Sequence, residues 1–306
     1  MTASRIHVVL FGPEGRGGFN QCGLAGAQRA RELTADLQVH WCEPSAPADR
    51  ATYLRGVCQK GADLLIAHGG QGDAPVSMVA HDFPSTPFVI TQGDFLAPNV
   101  ANYEVLQEQS AFLAGVLAAS ITRSGVVAHM SGEKVRPGLK GRAAFAHGVR
   151  HRNPDVQLLT TFCGSQHDTE LAYRVVSAQA DRGADVLFAM IDGGREGAIR
   201  ACRERGVLQI GNVFDWTVVE PEVFIASAIA DSGHCIVRAV QNFLAKDLFL
   251  GTRFTMGLEA KDCVDLAMSA RVSEAARQRV VASRDLLLSG KLEPVVEYLG
   301  SELTVE

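Results

Sequence analysis

The chain has 306 residues, 47% hydrophobic and 21% charged, enough apolar material for one large or two ordinary domains, and the length favours two. A formal net charge of −5 gives no basis for a nucleic-acid partner or an anionic membrane surface. No apolar run reaches the roughly 18 residues of a membrane span, and residues 1–5 are too short for an export signal.

Seven cysteines, scattered without C-x-x-C spacing, argue against a zinc site or a disulfide framework and fit a reducing compartment. In chain order the pattern predicts strand 6–11, helix 21–33, strand 37–41, helix 49–60, strand 63–67, a short helix 73–81 and strand 87–91. A fifth strand, 99–103, leads into a long small-residue helix, 107–123. The opening order then recurs as strand 126–130, helix 138–152, strand 156–162, helix 168–182, strand 185–190, helix 195–205 and strand 207–211. The recurrence is literal in one place: Gly61-Ala62-Asp63-Leu64-Leu65-Ile66-Ala67 returns as Gly183-Ala184-Asp185-Val186-Leu187-Phe188-Ala189. Short apolar strands alternating with helices predict an α/β fold of two similar parallel-sheet halves. Strands 223–227 and 253–258, and helices 228–245 and 273–289, follow before an acidic tail. The expected lobes are 1–104 plus about 228–268, and 105–227 plus about 269–306.

The turn after the first strand, Gly12-Pro13-Glu14-Gly15-Arg16-Gly17-Gly18-Phe19-Asn20, brings main-chain N–H groups toward a ligand at a helix start. It lacks the G-x-G-x-x-G order, which argues against a dinucleotide enzyme. Phe19 is either a platform for a planar ligand or a packing residue of its own helix. Other strand ends carry glycine beside polar groups: His68-Gly69-Gly70-Gln71, Thr91-Gln92-Gly93-Asp94, Ile191-Asp192-Gly193-Gly194 and Gly211-Asn212-Val213-Phe214-Asp215-Trp216. Strand carboxyl ends are the usual ligand position of open parallel sheets, so a cleft between the lobes is expected there. Phe214 and Trp216 are candidates for a second aromatic face, or for core packing. Asp192 and Asp215 are candidates for hydrogen bonding to a ligand or for acid–base work. His147 and His151 have i,i+4 spacing, but with Arg142, Arg150 and Arg152 beside them they read as a solvated basic face; no metal site and no cofactor is expected.

In these motifs the chain resembles the basic membrane protein family, purine-nucleoside-binding substrate receptors of ABC transporters. Beside the glycine turn and the Gly61–Ala67 segment, the resemblance rests on Asn99-Val100-x-x-Tyr103-Glu104 running into Ser110-Ala111-Phe112-Leu113-Ala114-Gly115, and on Asn153-Pro154-Asp155. It implies a type I periplasmic-binding-protein fold, two Rossmann-like lobes joined by three crossovers and closing on a solute. It also implies that Phe19 stacks on a purine base, that Asn20, Gln92 and Asp192 lie where the base is recognised, and that Asp215 lies where ribose is held. Two departures stand out. Arg16 replaces an acidic ribose ligand, and Ala230 replaces a lysine expected after the 223–227 strand. A guanidinium in place of a hydroxyl acceptor favours a free nucleobase or an anionic planar solute.

The expected function is therefore a non-enzymatic solute-binding protein of an ABC-type uptake system, with a permease as partner and the cell envelope as its place. The alternatives are a cytoplasmic ligand sensor of the same fold, favoured by the cysteines and the missing export signal, and an enzyme using Asp192 or Asp215 on a heterocycle.

Overall fold

The computed structural model describes residues 5–12, 14 and 18–305. The chain first lays β1 (Ile6–Phe11), α1 (Phe19–Ala30), β2 (Leu37–Cys42), α2 (Pro47–Gln59), β3 (Leu64–His68), α3 (Asp73–Val79), β4 (Phe88–Thr91) and β5 (Val100–Val105). It then builds α4 (Gln107–Ile121), β6 (Val126–Ser131), α5 (Arg136–Arg152), β7 (Gln157–Phe162) and α6 (Thr169–Ala180). β8 (Val186–Met190), α7 (Arg195–Arg205), β9 (Leu208–Val213) and β10 (Phe224–Ala230) follow, then α8 (Gly233–Leu244), β11 (Arg253–Met256), β12 (Val264–Met268) and α9 (Glu274–Leu288).

These elements form two compact units, Met1–Val105 with Asp231–Met256, and Leu106–Ala230 with Gly257–Glu306. The first holds a sheet in the order β11-β5-β4-β3-β1-β2, every pair parallel; the second holds β12-β10-β9-β8-β6-β7, parallel except for β12 against β10. The repeat seen in the sequence is thus a repeat of topology. β1 and β3 are buried along their whole length, because helices cover both faces of a parallel sheet and leave no polar side. Val9, Leu65, Ala67 and Ile90 pack with Leu54, Val57, Val76 and Val79 of α2 and α3, while α1 packs with α8.

In the second unit α4 is buried from Ser110 through Ala119, so the small-residue helix belongs to the core of its lobe. It meets α5 at two glycines: a Cβ on Gly115 would lie 2.2 Å from the carbonyl oxygen of Phe145, and one on Gly148 2.0 Å from that of Phe112. The tail crosses the β7 edge, where the Leu303 N–H donates to the Thr160 carbonyl (2.7 Å) and Glu302 pairs with Lys134 (2.9 Å) and with buried Arg142.

Several boundaries differ from the sequence expectation, three of them with consequences for the units and the site. Helix α1 begins at Phe19 rather than at residue 21. β10 runs on to Ala230, whose partner is Val264. Residues 257–268 belong to the second unit rather than the first, because β12 closes the second sheet by pairing antiparallel with β10.

Candidate functional site

In the first unit the carboxyl ends of β1, β3 and β4 gather around the start of α1. Phe19, half-buried, stacks on His68, the last residue of β3, with ring centroids 4.3 Å apart and planes 17° from parallel. His68 is 1% exposed. Its Nε2 lies 3.2 Å from the Phe19 carbonyl oxygen and its Nδ1 2.9 Å from Thr91 Oγ1, which also accepts the Gly69 N–H at 2.9 Å. Burial pushes the imidazole pKa down to about 4, against the weaker opposing effects of the Phe19 carbonyl and Asp231, so the ring is neutral at pH 7.

Asn20, the next residue of α1, turns its amide Nδ2 back to the Phe11 carbonyl at 2.8 Å and ties the helix start to the end of β1. Gln92 is 4% exposed with φ +55°. That left-handed backbone folds its side chain back onto Val105, whose N–H donates to Gln92 Oε1 (2.6 Å) and whose carbonyl accepts from Nε2 (3.3 Å). The expectation made Gln92 a base-recognising group; the structure uses its amide as a local extension of the β4–β5 ladder. Arg16 lies outside the described residues, as do Pro13, Gly15 and Gly17.

In the second unit Asp192, Phe214, Asp215 and Trp216 follow the ends of β8 and β9. Trp216 packs over Gly211, donates its Nε1–H to the Asn212 carbonyl (3.1 Å), and sits beside Phe224 with centroids 5.8 Å apart. The guanidinium of Arg195 covers its ring at 4.1 Å. Trp216 is therefore part of the packing of this unit. Phe214 is half-buried, and among the described residues no ring or guanidinium stacks on it. It follows Val213, a β-branched residue at φ +73°, so the strand end that presents it is strained. Asp215 Oδ1 accepts from Thr217 N (2.9 Å) and Thr217 Oγ1 (2.6 Å), capping the short turn 216–218.

Arg195 is the residue that sequence reading passed over. It is 8% exposed, donates from Nη2 to the Ile191 carbonyl and to Asn212 Oδ1 (3.0 Å), and its Nε has no hydrogen-bond partner. Burial lowers its pKa to about 10, with Asp192 pulling the other way, so it remains a cation. It opens a helix after a glycine pair, and nothing in the local sequence marks its burial.

The His147–His151 face is the solvated one expected only in part: Arg150 and His151 are exposed, whereas His147 and Arg142 are engaged by the tail. His147 Nδ1 accepts the Val295 N–H at 3.1 Å, Arg142 is buried between Phe162 and Tyr298, and among the described residues no cluster fit for a metal ion occurs.

The model of one family, the PnrA-like substrate-binding proteins of ABC transporters, matches residues 4–289. The chain belongs to this family. A transcriptional activator protein of Bacillus subtilis is 25% identical over 56% of the chain and 53% of its own length. A purine-binding protein of Brucella abortus is 22% identical over 75% of the chain and 65% of its own length. Basic membrane protein A2 of Borrelia garinii is 22% identical over 81% and 75%. The chain thus spans about half to three quarters of the length of these relatives. Among solved structures, a solute-binding protein of an ABC transporter system from Aeropyrum pernix superposes with a TM-score of 0.83 at 20% identity, over 95% of this chain and 93% of that one. A transcriptional activator of the comK gene from Bacillus halodurans gives 0.80 at 17%, over 95% and 100%. These likenesses show the type I periplasmic-binding-protein fold. Within this PnrA-like chain Ala230 is a buried strand residue that brings no charge to the end of β10, and no described helix is long and apolar enough to cross a membrane.

Proposed function

We propose that this member of the substrate-binding family binds a planar heteroaromatic solute, a purine-type base or nucleoside, for an ABC-type permease. The observation that carries the reading is Phe19: a half-exposed ring at a helix start, beside three strand ends, with one face already fixed by His68. Such a ring offers its other face to a flat ligand, and stacking of this kind contributes about 0.5–1.5 kcal/mol beyond the area buried. The name of the Brucella relative, a purine-binding protein, supports the same class. Phe214, Asp215 and Asp192 are proposed as further ligand contacts, and Asn20 as a polar neighbour of the platform. Arg16 in place of an acid, with Ala230 in place of a lysine, favours a free base or an acidic planar solute over an ordinary nucleoside.

A second reading, a ligand sensor acting on gene expression, is favoured by the two relatives named as transcriptional activators. For an enzyme the support is weaker, because Asp215 already uses one carboxylate oxygen as a cap.

The test is a thermal-shift screen against nucleobases, nucleosides, nucleotides and flavins, with recovery of each hit. A ligand at 100 times its Kd adds about 2.7 kcal/mol of stability. A nucleobase or acidic heterocycle returned unchanged is the expected outcome. Adenosine or guanosine binding at micromolar Kd while bases and acidic analogues fail would contradict the role given to Arg16. A hit consumed during incubation would replace the receptor with an enzyme.

A further inference from the structure

Phe19 is held from behind by a hydrogen-bond chain whose direction is determined. The Phe19 carbonyl oxygen can only accept, so His68 Nε2, 3.2 Å away, carries the ring proton. Nδ1 is then bare and accepts from the Thr91 hydroxyl at 2.9 Å. The same hydroxyl oxygen accepts the Gly69 N–H at 2.9 Å. The chain therefore runs from Gly69 N–H through Thr91 and His68 to the first residue of α1, and crosses the ends of β3 and β4.

Helix α1 packs closely against the imidazole. A Cβ on Gly23 would lie 2.5 Å from His68 Cδ2 and 2.8 Å from Leu10 Cδ2, so α1 reaches the ring only because that residue is glycine. A Cβ on Gly69 would come within 3.0 Å of Phe19 Cε1, so the phenyl edge is confined as well. Two in-plane hydrogen bonds fix the rotation of the imidazole, and the near-parallel stack at 4.3 Å passes that orientation on to the phenyl ring. A phenylalanine or leucine at position 68 would fill the volume without fixing the plane.

We propose that His68 is the positioning residue of the ligand platform: its imidazole, protonated on Nε2 and oriented by Thr91, backs Phe19 so that a planar solute completes a three-layer stack. This rests on the reading of Phe19 as the ligand platform. Burial, which keeps the ring neutral at pH 7, is consistent with the assigned tautomer. Pre-setting the ring plane lowers the ordering cost of binding, so the consequence falls on affinity for flat ligands.

Two readouts test it. The first needs no ligand: nitrogen NMR of the histidines at pH 7 is expected to show His68 as the Nε2–H tautomer in the wild type, in Thr91→Ser and in Thr91→Val, because the Phe19 carbonyl remains its acceptor, with the Nδ1 resonance shifted only in Thr91→Val, where its donor is lost. An Nδ1–H tautomer or an imidazolium in the wild type would overturn the assignment. The second is calorimetric titration with adenine, guanine and hypoxanthine. Thr91→Val is expected to weaken binding by about threefold to tenfold, the range of one hydrogen bond, with Thr91→Ser restoring it. In a Phe19→Ala background Thr91→Val is expected to add no further loss. An equal loss in both backgrounds would make Thr91 and His68 merely structural. Binding as tight in Phe19→Ala as in the wild type would sink the platform, and the stack with it, even with the tautomer as assigned. The two failures are thereby distinguishable.

Discussion

Val213 holds the end of β9 at φ +73°, where a β-branched side chain crowds its own backbone, and Gln92 follows directly on β4 at φ +55°. Each unit thus carries a non-glycine residue in left-handed backbone at a strand carboxyl end, the position at which ligand sites form in such sheets. Holding Val213 there costs on the order of 1–3 kcal/mol, whereas glycine gives back about 0.5–1 kcal/mol in entropy of the unfolded chain. Val213→Gly is therefore expected to leave stability unchanged or raise it by about 1 kcal/mol in urea unfolding, while weakening ligand binding because Phe214 is no longer held in place. A loss of about 2 kcal/mol or more would show the conformation to be unstrained. None of this was legible in the sequence, where a glutamine and a valine before loops carry no sign of a positive φ. The Phe19–His68 stack was equally hidden: each residue stood out alone, but they are 49 positions apart and only the pairing of β1 with β3 joins them.

At the scale of elements, composition was informative wherever a strand was buried on both faces. The runs of β1, β3, β6 and β8 are apolar because both sides of a parallel sheet are covered, and the tandem repeat followed from them. β12 was missed because Val264-Asp265-Leu266-Ala267-Met268 is short and half-buried, and its pairing with β10 is non-local. The acidic tail gave no local hint that Glu302 neutralises buried Arg142 from 160 positions away. Helix packing depends on particular glycines. Gly148→Ala would set a methyl 2.0 Å from the Phe112 carbonyl oxygen and force α4 from α5, so a loss of about 3 kcal/mol or more is expected. A Cβ on Gly56 in α2 would meet no neighbour within 4 Å, and Gly56→Ala is expected to stabilise by about 0.5–1 kcal/mol. Chemical denaturation of the pair checks both signs; equal effects would mean that the close α4–α5 approach is absent.

For the whole molecule, the chain passes between units after Val105, Ala230 and Met256, and side chains near each passage are tied within their own unit. Gln92 holds Val105, Arg29 holds Asp231 at 2.9 Å, and Gln109 Oε1 accepts the Leu258 N–H at 2.8 Å. His68 in the first unit and His129 in the second are both buried and neutral. His68 falls to about 4, and His129, between Thr160 and Ser131, falls to about 3 through burial and the nearby Arg142. Both folded values lie below the unfolded value of 6.5, so the unfolded chain takes protons that the folded chain refuses. Their contribution is complete above pH 6.5 or so and is lost as pH falls toward about 4 and about 3, at up to about 1.4 kcal/mol per pH unit for each. Urea midpoints are expected to drop steadily from about pH 6.5 to 4. A flat profile over that window would mean that these rings titrate normally and are not buried neutral.

The central claim is that Phe19 is the platform of a planar solute. Calorimetric titration of the wild type and Phe19→Ala with the tightest ligand of the screen tests it most directly. One site per chain, the solute recovered intact and Kd raised about tenfold or more by the substitution is the expected result, equivalent to about 1.4 kcal/mol or more. A flat ligand that binds both proteins equally well would contradict the claim and move the site away from the start of α1.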